Sequence, residues 1–168
     1  MKNLSRRSMI RLSGITAAGS LIATQSLYGD IPGDLPSGKK LKVIVAGAHP
    51  DDPESGCGGT MALFASAGHE VIAAYLTRGE AGIPGKTHDE AASVRTAEAT
   101  KACSILNARA EFLGQVDGST EITKDRYDDV HRFFEKEKPD IVFTHWPVDS
   151  HRDHRICSVL VYDAWLRS

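Results

Sequence analysis

The chain has 168 residues, of which 41% are hydrophobic and 25% are charged, and its formal net charge is -2. This length and composition are typical of a globular protein with a single domain. Binding to nucleic acids or anionic membranes usually requires a basic excess, which this chain lacks. We therefore expect no nucleic-acid partner.

The first 28 residues have the layout of an export signal. Basic side chains, among them Arg6 and Arg7, precede a short and weakly apolar stretch from Ile10 to Ala23, which is too short to span a membrane. The arginine pair resembles a twin-arginine signal, an address that a receptor reads. We predict a signal peptide at residues 1–28, contact with the Tat translocase, export to the periplasm or the extracellular space, and no stable membrane anchor. A disordered basic tail is the alternative.

Residues 29–40 are dense in turn-forming glycine, proline and aspartate and show no periodicity, which predicts a linker. The folded domain is then expected at residues 41–168, a length sufficient for a hydrophobic core. Apolar periods in this part alternate between strand-like and helix-like. Such alternation favours an α/β fold with a mainly parallel sheet.

Eight elements are predicted along this domain. The clearest helix start is Thr87-His88-Asp89-Glu90, where the first and last side chains can form a capping box. In chain order the sequence predicts a strand at 41–48, a helix from Ser55 or Gly59 to Ala67, a strand at 70–77, a helix from Thr87 to about Leu106, a strand at 111–114, a helix at 124–137, a strand at 140–145 and a helix at 152–166.

Two clusters of metal-binding residue types each follow a predicted strand. His49-Pro50-Asp51-Asp52 comes after the first strand, and His151-Arg152-Asp153-His154 comes after the fourth. In a doubly wound sheet those strands lie side by side, and their carboxyl ends open on one crevice. Imidazole and carboxylate groups bind zinc, and a catalytic zinc site keeps one position for water. Surface turns are the alternative, but the placement after two core strands favours a metal site.

These clusters resemble the two signatures of the LmbE-like, or PIG-L, zinc-dependent de-N-acetylases. Residues 77–82, Thr-Arg-Gly-Glu-Ala-Gly, are similar to the T-x-G-E-x-G loop of that family, and Arg95 with Glu98 is similar to a basic and acidic pair on its second helix. The resemblance covers the chain from about Lys42 to Arg155. It implies a Rossmann-like three-layer αβα sandwich and hydrolysis of the N-acetyl group of an N-acetylglucosamine-containing substrate.

The resemblance implies which residues bind metal and move the proton. His49, Asp52 and His154 would bind one Zn²⁺ per chain, and other divalent metals can take the same ligands. Asp51 would be the general base that activates a water on the metal. In the alternative interpretation, Asp51 only caps the following helix.

The resemblance also implies roles for five further residues. His151 would stabilise the oxyanion or act as the acid, and Asp153 would orient one of the histidines. The substrate-binding residues would be Arg78, Glu80 and Arg95. Alternatively, Glu80 ties down its own loop, and Arg95 forms only an exposed ion pair on its helix.

Members of this family normally continue well beyond the second histidine motif, whereas this chain ends at Ser168. We therefore expect a C-terminally truncated domain, and a homo-oligomer is an option. Two other functions stay open. One is a metal-dependent phosphoester hydrolase, which would need further carboxylate ligands and two metals, and the other is an inactive sugar-binding remnant. The three cysteines show no CxxC spacing, so we expect three buried thiols, with one disulfide as the alternative.

Overall fold

Four parallel strands form the central sheet. In a computed structural model of the chain, the described residues are 38–168. The strands are β1 (Lys42–Gly47), β2 (Glu70–Thr77), β3 (Arg109–Gln115) and β4 (Ile141–Phe143). Their order across the sheet is β3-β2-β1-β4, and every pairing is parallel. The expected α/β fold with a mainly parallel sheet is confirmed.

The predicted signal peptide at residues 1–28 and most of the predicted linker at 29–40 lie outside the described residues. Within 38–168, the helices are too short or too polar to cross a membrane. The sheet belongs to a unit that runs from Lys40 to Ser168.

Helices cover both faces of this sheet. They are α1 (Asp52–Ser66), α2 (His88–Ile105), α3 (Lys124–Glu137) and α4 (Arg152–Arg167). The first two pack on one face, and the last two pack on the other. The Rossmann-like three-layer αβα sandwich is thereby confirmed.

β1 and β2 are buried on both faces, which is why they read as continuous apolar runs. Successive side chains of a strand point to opposite faces, so each strand contributes side chains to two cores. Each fully buried large side chain stabilises the fold by about 1.5–3 kcal/mol. The core under α1 and α2 includes Val45, Ala73, Tyr75, Met61 and Cys103. The core under α3 and α4 includes Ile44, Ala74, Leu76, Phe134 and Leu160.

The predicted start of the first helix is wrong. α1 begins at Asp52, ahead of the predicted Ser55 or Gly59. Pro53 is suited to the first turn because its missing N–H has no partner there, and the acidic Asp52 and Glu54 complement the helix dipole. Gly56, Gly58 and Gly59 lie inside the helix.

Two predicted strands differ from the structure by two residues at one end. β3 begins at Arg109 rather than Glu111, because its pairing with β2 extends it. β4 ends at Phe143 rather than His145, since the chain turns away from the sheet there. The ring of His145 then accepts the backbone N–H of Ala48 at 3.0 Å.

The remaining local predictions agree with the structure more closely. The Thr87 hydroxyl accepts the N–H of Glu90, and the Glu90 carboxylate accepts the N–H of Thr87, so the capping box is confirmed. All three cysteines are among the described residues and are free thiols. Cys103 and Cys157 are buried as expected, whereas Cys57 is only half-buried.

Candidate functional site

The two predicted clusters meet at the carboxyl ends of β1 and β4. These strands are neighbours at the point where the strand order reverses, so the loops that follow them face the same crevice. An open cavity of about 590 Å³ lies at this edge. Its lining includes His49, Asp51, Asp52, Arg95, Asp117, His151 and His154.

The loop between β1 and α1 fixes Asp52 beneath the ring of His49. The backbone N–H of His49 donates to Asp52 Oδ2 at 2.7 Å, and the ring nitrogen Nδ1 of His49 lies 3.2 Å from the same oxygen. This tight turn requires a glycine at position 47. A Cβ on Gly47 would lie 2.6 Å from the Cβ of Asp52, so any larger residue there would displace the carboxylate.

The Asp52 carboxylate contacts three imidazoles. Besides His49, its Oδ2 lies 3.3 Å from Nε2 of His145, and its Oδ1 lies 3.3 Å from Nε2 of His154. The last two rings are stacked, with centroids 3.9 Å apart. Burial raises the pKa of Asp52, but its interactions with His145 and His49 outweigh burial and hold that pKa well below its usual range. Asp52 is therefore ionised at neutral pH, as a metal ligand must be.

The other ring nitrogen of His49 faces two further carboxylates. Its Nε2 lies 3.1 Å from Asp117 Oδ1 and 3.4 Å from Asp153 Oδ2. Burial lowers the pKa of His49, but the hydrogen bond with Asp52 and the charge of Asp117 outweigh burial and raise it to about 9. Because a metal ligand must be deprotonated, metal binding to this ring releases a proton.

Asp153 is a buried carboxylate in the first turn of α4. Its oxygens accept the Gly118 N–H at 2.8 Å and the Thr120 hydroxyl at 2.6 Å. Burial raises the pKa of Asp153, and these two hydrogen bonds more than reverse that effect and lower it. The histidine that its carboxylate contacts is His49, so the predicted orienting role would act on that ring.

His151 stands at the N-cap of α4 and is exposed to the cavity. Its Nδ1 accepts the Asp153 N–H at 3.2 Å, so a neutral ring carries its proton on Nε2. The ring centroid lies 4.9 Å from that of His49 and 4.7 Å from that of His154. A ring N–H at this place is a suitable donor to an oxyanion.

Asp51 occupies the N-cap of α1, but its side chain makes no capping hydrogen bond. The structure therefore does not support the alternative that Asp51 only caps the helix. Its Oδ2 instead accepts a hydrogen bond from Nη2 of Arg95 at 2.6 Å. Arg95 also pairs with Glu98 at 2.9 Å, so the ion pair on its own helix and the cavity contact coexist.

Of the three predicted substrate-binding residues, Arg95 lines the cavity, whereas Arg78 and Glu80 are not among the lining residues. The buried Glu80 carboxylate accepts the backbone N–H of Arg78 at 3.2 Å and that of Asp117 at 3.1 Å. This geometry agrees with the alternative in which Glu80 ties down its own loop.

The sequence reasoning missed two carboxylates. Asp117 follows the end of β3 by two residues, so the strand-end argument that singled out His49 could have found it. Asp149 Oδ1 lies 3.2 Å from Nδ1 of His154. The Asp-x-His spacing between Asp149 and His151 is typical of an Asx turn and could have indicated this carboxylate.

Three overlapping groups of side chains could hold a metal ion within residues 38–168, and in each group the candidate ligand atoms lie within 4.8 Å of one another. They are His49, His151 and His154; Asp52, His145 and His154; and His49, Asp117 and Asp153. The predicted ligands are spread over these groups, with Asp52 between the rings of His49 and His154. Two imidazoles and one carboxylate are a donor set that fits zinc.

The sequence model of the PIG-L family, described as GlcNAc-PI de-N-acetylase, matches residues 44–165. The chain belongs to this family. Family membership confirms the resemblance that the two histidine clusters indicated.

One relative of this PIG-L chain is the 1D-myo-inositol 2-acetamido-2-deoxy-α-D-glucopyranoside deacetylase of Corynebacterium diphtheriae. The two are 34% identical over 83 residues, which are 44% of this chain and 28% of the relative. The chain therefore matches less than a third of that protein's length.

Solved structures share the fold. The N,N'-diacetylchitobiose deacetylase of Pyrococcus horikoshii has a TM-score of 0.71 and 25% identity, over 98% of this chain and 60% of that one. The 4-carboxy-2-hydroxymuconate hydratase GalB of Pseudomonas putida has a TM-score of 0.69 and 27% identity, over 75% and 55% of the two chains. The same fold thus carries both a deacetylase and a hydratase, and the function must be argued from the site.

Proposed function

We propose that this PIG-L chain carries the metal-binding core of an enzyme that removes the acetyl group from an N-acetylglucosamine-containing substrate. The family description and the named activity of the Corynebacterium relative support this substrate class. The observation that carries the proposal is the position of Asp52 between His49 and His154, with Asp51 beside it at the cavity.

His49, Asp52 and His154 are the residues that would hold one zinc ion in this proposal. When bound, the ion would polarise the amide carbonyl and make water more acidic. Other divalent metals suit the same imidazole and carboxylate donors.

The side chains around these ligands divide the remaining work. Asp51 takes a proton from the attacking water, and the water oxygen bonds to the acetyl carbon. The Nε2–H of His151 donates to the oxyanion that forms on the carbonyl oxygen. The C–N bond then breaks, and Asp51 passes the proton to the departing amine, which leaves acetate and the free amino sugar. Arg95 holds the Asp51 carboxylate in place through their 2.6 Å contact.

Substitutions of Asp51 and His154 separate metal binding from proton transfer. We expect Asp51→Asn to keep bound zinc and to release acetate about 10²–10⁴-fold more slowly, because it removes only the base. We expect His154→Ala to lose both zinc and acetate release, because it removes a ligand. Zinc is counted by atomic absorption, and acetate release is measured with N-acetylglucosamine glycosides.

A matched control is Asp125→Asn, which removes an exposed carboxylate from the first turn of α3. It should keep both zinc and turnover. Acetate release by Asp51→Asn at the wild-type rate would refute the proposed role of Asp51. About two metals per chain together with cleavage of phosphoesters would favour the phosphoester hydrolase instead.

A further inference from the structure

His154 is held between two carboxylates. Its Nε2 lies 3.3 Å from Asp52 Oδ1, on the side of the predicted metal ligands. Its Nδ1 lies 3.2 Å from Asp149 Oδ1, on the opposite side of the ring. The two ring nitrogens therefore face different partners, one at the start of α1 and one in the loop after β4.

Asp149 is the acceptor within reach of the rear nitrogen of His154. That nitrogen is buried, and no other described group is placed to form a hydrogen bond with it. The 3.2 Å approach has the distance of an ion pair, although the two groups are not aligned as a hydrogen bond.

The loop that carries Asp149 is fixed from several directions. The carboxylate accepts the His151 N–H at 2.7 Å, and the Asp149 N–H donates to the carbonyl of Trp146 at 3.2 Å. The Arg155 guanidinium, from the first turn of α4, donates to the carbonyls of Asp149 at 2.7 Å and Ser150 at 3.0 Å. These four contacts aim the carboxylate at His154 rather than at solvent.

The same arrangement occurs at the other predicted histidine ligand. His49 faces Asp52 through Nδ1 and is backed by Asp117 and Asp153 through Nε2. Each of the two rings thus has a carboxylate on the side away from Asp52. In metal sites, a carboxylate behind a histidine fixes which nitrogen carries the proton and makes the ligating nitrogen more basic.

We propose that Asp149 is a positioning residue that accepts the Nδ1 proton of His154 and so presents the unprotonated Nε2 to the metal. The proposal rests on the proposed function, because it requires His154 to be a metal ligand. The 3.9 Å stack with His145 restrains the plane of the His154 ring. Asp149 fixes the ring proton on Nδ1.

Two substitutions test this role in the full chain. Asp149→Asn keeps the shape of the side chain without its charge. Asp149→Ser keeps an oxygen that can accept the His151 N–H but is too short to reach His154. We expect both to weaken zinc binding by about 10- to 100-fold in a titration against a competing chelator. In ¹⁵N-histidine spectra of the zinc-loaded protein, the His154 Nδ1–H proton should shift upfield and exchange faster with water.

The matched control is Asp140→Asn, at the amino end of β4 and so at the opposite end of the strand from the site. The Asp140 carboxylate also accepts a backbone N–H, from Lys42 at 2.9 Å, so this variant removes the charge from a comparable contact away from His154. It should keep the wild-type zinc affinity and the wild-type Nδ1–H resonance.

Wild-type zinc affinity and an unmoved resonance in both Asp149 variants would overturn the proposal. Weaker zinc binding with an unmoved Nδ1–H resonance would also overturn it, because the loss would then come from a general distortion of the loop. If the wild-type chain binds no zinc, the proposed function fails. The contact with Asp149 is then judged on the metal-free protein, where the ¹⁵N shift of His154 Nδ1 must change in both variants.

Discussion

Asp51 has an unfavourable backbone conformation at the centre of the candidate site. Its φ of 109° lies in the region that favours glycine, and a residue forced into such a conformation costs about 1–3 kcal/mol. The ion pair with Arg95 at 2.6 Å is partly exposed, and such pairs stabilise the fold by only about 0–1 kcal/mol. The backbone of Asp51 therefore destabilises the fold while its carboxylate faces the cavity.

Comparison of two variants that both lack the carboxylate measures this strain. We expect Asp51→Gly to be more stable than Asp51→Ala by about 1 kcal/mol or more, because glycine adopts a positive φ without a steric penalty. Both variants should release acetate about as slowly as Asp51→Asn. Urea unfolding gives the two free energies, and equal values would show that residue 51 is not strained.

Single residues were predictable from the sequence where their role depends on a neighbouring strand. His49 and Asp52 directly follow an apolar run, so the position of the strand indicates where they lie. Asp117 was missed because it acts on His49 from another part of the chain, and Asp149 was missed because its contact with His154 depends on how the loop before α4 folds. The proton arrangement of the site is a tertiary property that local spacing does not reveal.

At the scale of elements, Glu137 joins the end of α3 to the starts of two strands. Its carboxylate is 5% exposed, lies 3.1 Å from Lys42 Nζ of β1 and lies 2.7 Å from Arg109 Nη2 of β3. An acidic residue at a helix C-terminus is unfavourable toward the helix dipole. Burial raises the pKa of Glu137, but the hydrogen bonds from Lys42 and Arg109 outweigh burial and leave that pKa below its ordinary value.

This network makes stability depend on pH in a defined direction. A carboxyl group whose pKa is lower in the folded state contributes stability above its unfolded pKa of about 4.3, and that contribution is lost as the pH falls through the folded value. We expect Glu137→Gln to cost about 1–3 kcal/mol at pH 7. The difference from wild type should shrink below about pH 4, as measured by urea unfolding across the pH range.

Glu135→Gln is the control for Glu137, since it removes an exposed carboxylate from the same helix. Its free energy of unfolding should stay within about 0.5 kcal/mol of wild type at each pH. A Glu137→Gln deficit that is constant from pH 7 to pH 3 would show that the ion pairs are not its source.

The elements themselves were predictable to differing degrees. β2 and α3 have the predicted boundaries, because apolar runs and periodic patterns dominate there. The limits of β3 and β4 were wrong, since the first depends on pairing with β2 and the second ends where His145 turns toward Ala48. Strand length is decided by the partner strand, which the local sequence does not contain.

At the scale of the whole molecule, the predicted zinc ligands connect separate parts of the fold. His49 and Asp52 follow β1, whereas His154 lies on α4, after β4. A ligand that binds only the folded state stabilises it by mass action, by about 2.7 kcal/mol when its free concentration is 100 times Kd. For a domain of this size, that corresponds to a rise in Tm of about 5–15 °C.

We therefore expect zinc to raise the Tm of the wild-type chain, and a chelator to reverse the rise, in thermal unfolding followed by circular dichroism. His154→Ala should show no rise, because the ligand from α4 is gone. The control is His69→Ala, whose ring lies outside the site and accepts the Leu41 N–H; it should start from a lower Tm and rise as much as wild type. A zinc-dependent rise of the same size in His154→Ala would show that the bound ion lies elsewhere. An ion held only by the residues that follow β1 would not depend on His154 of α4.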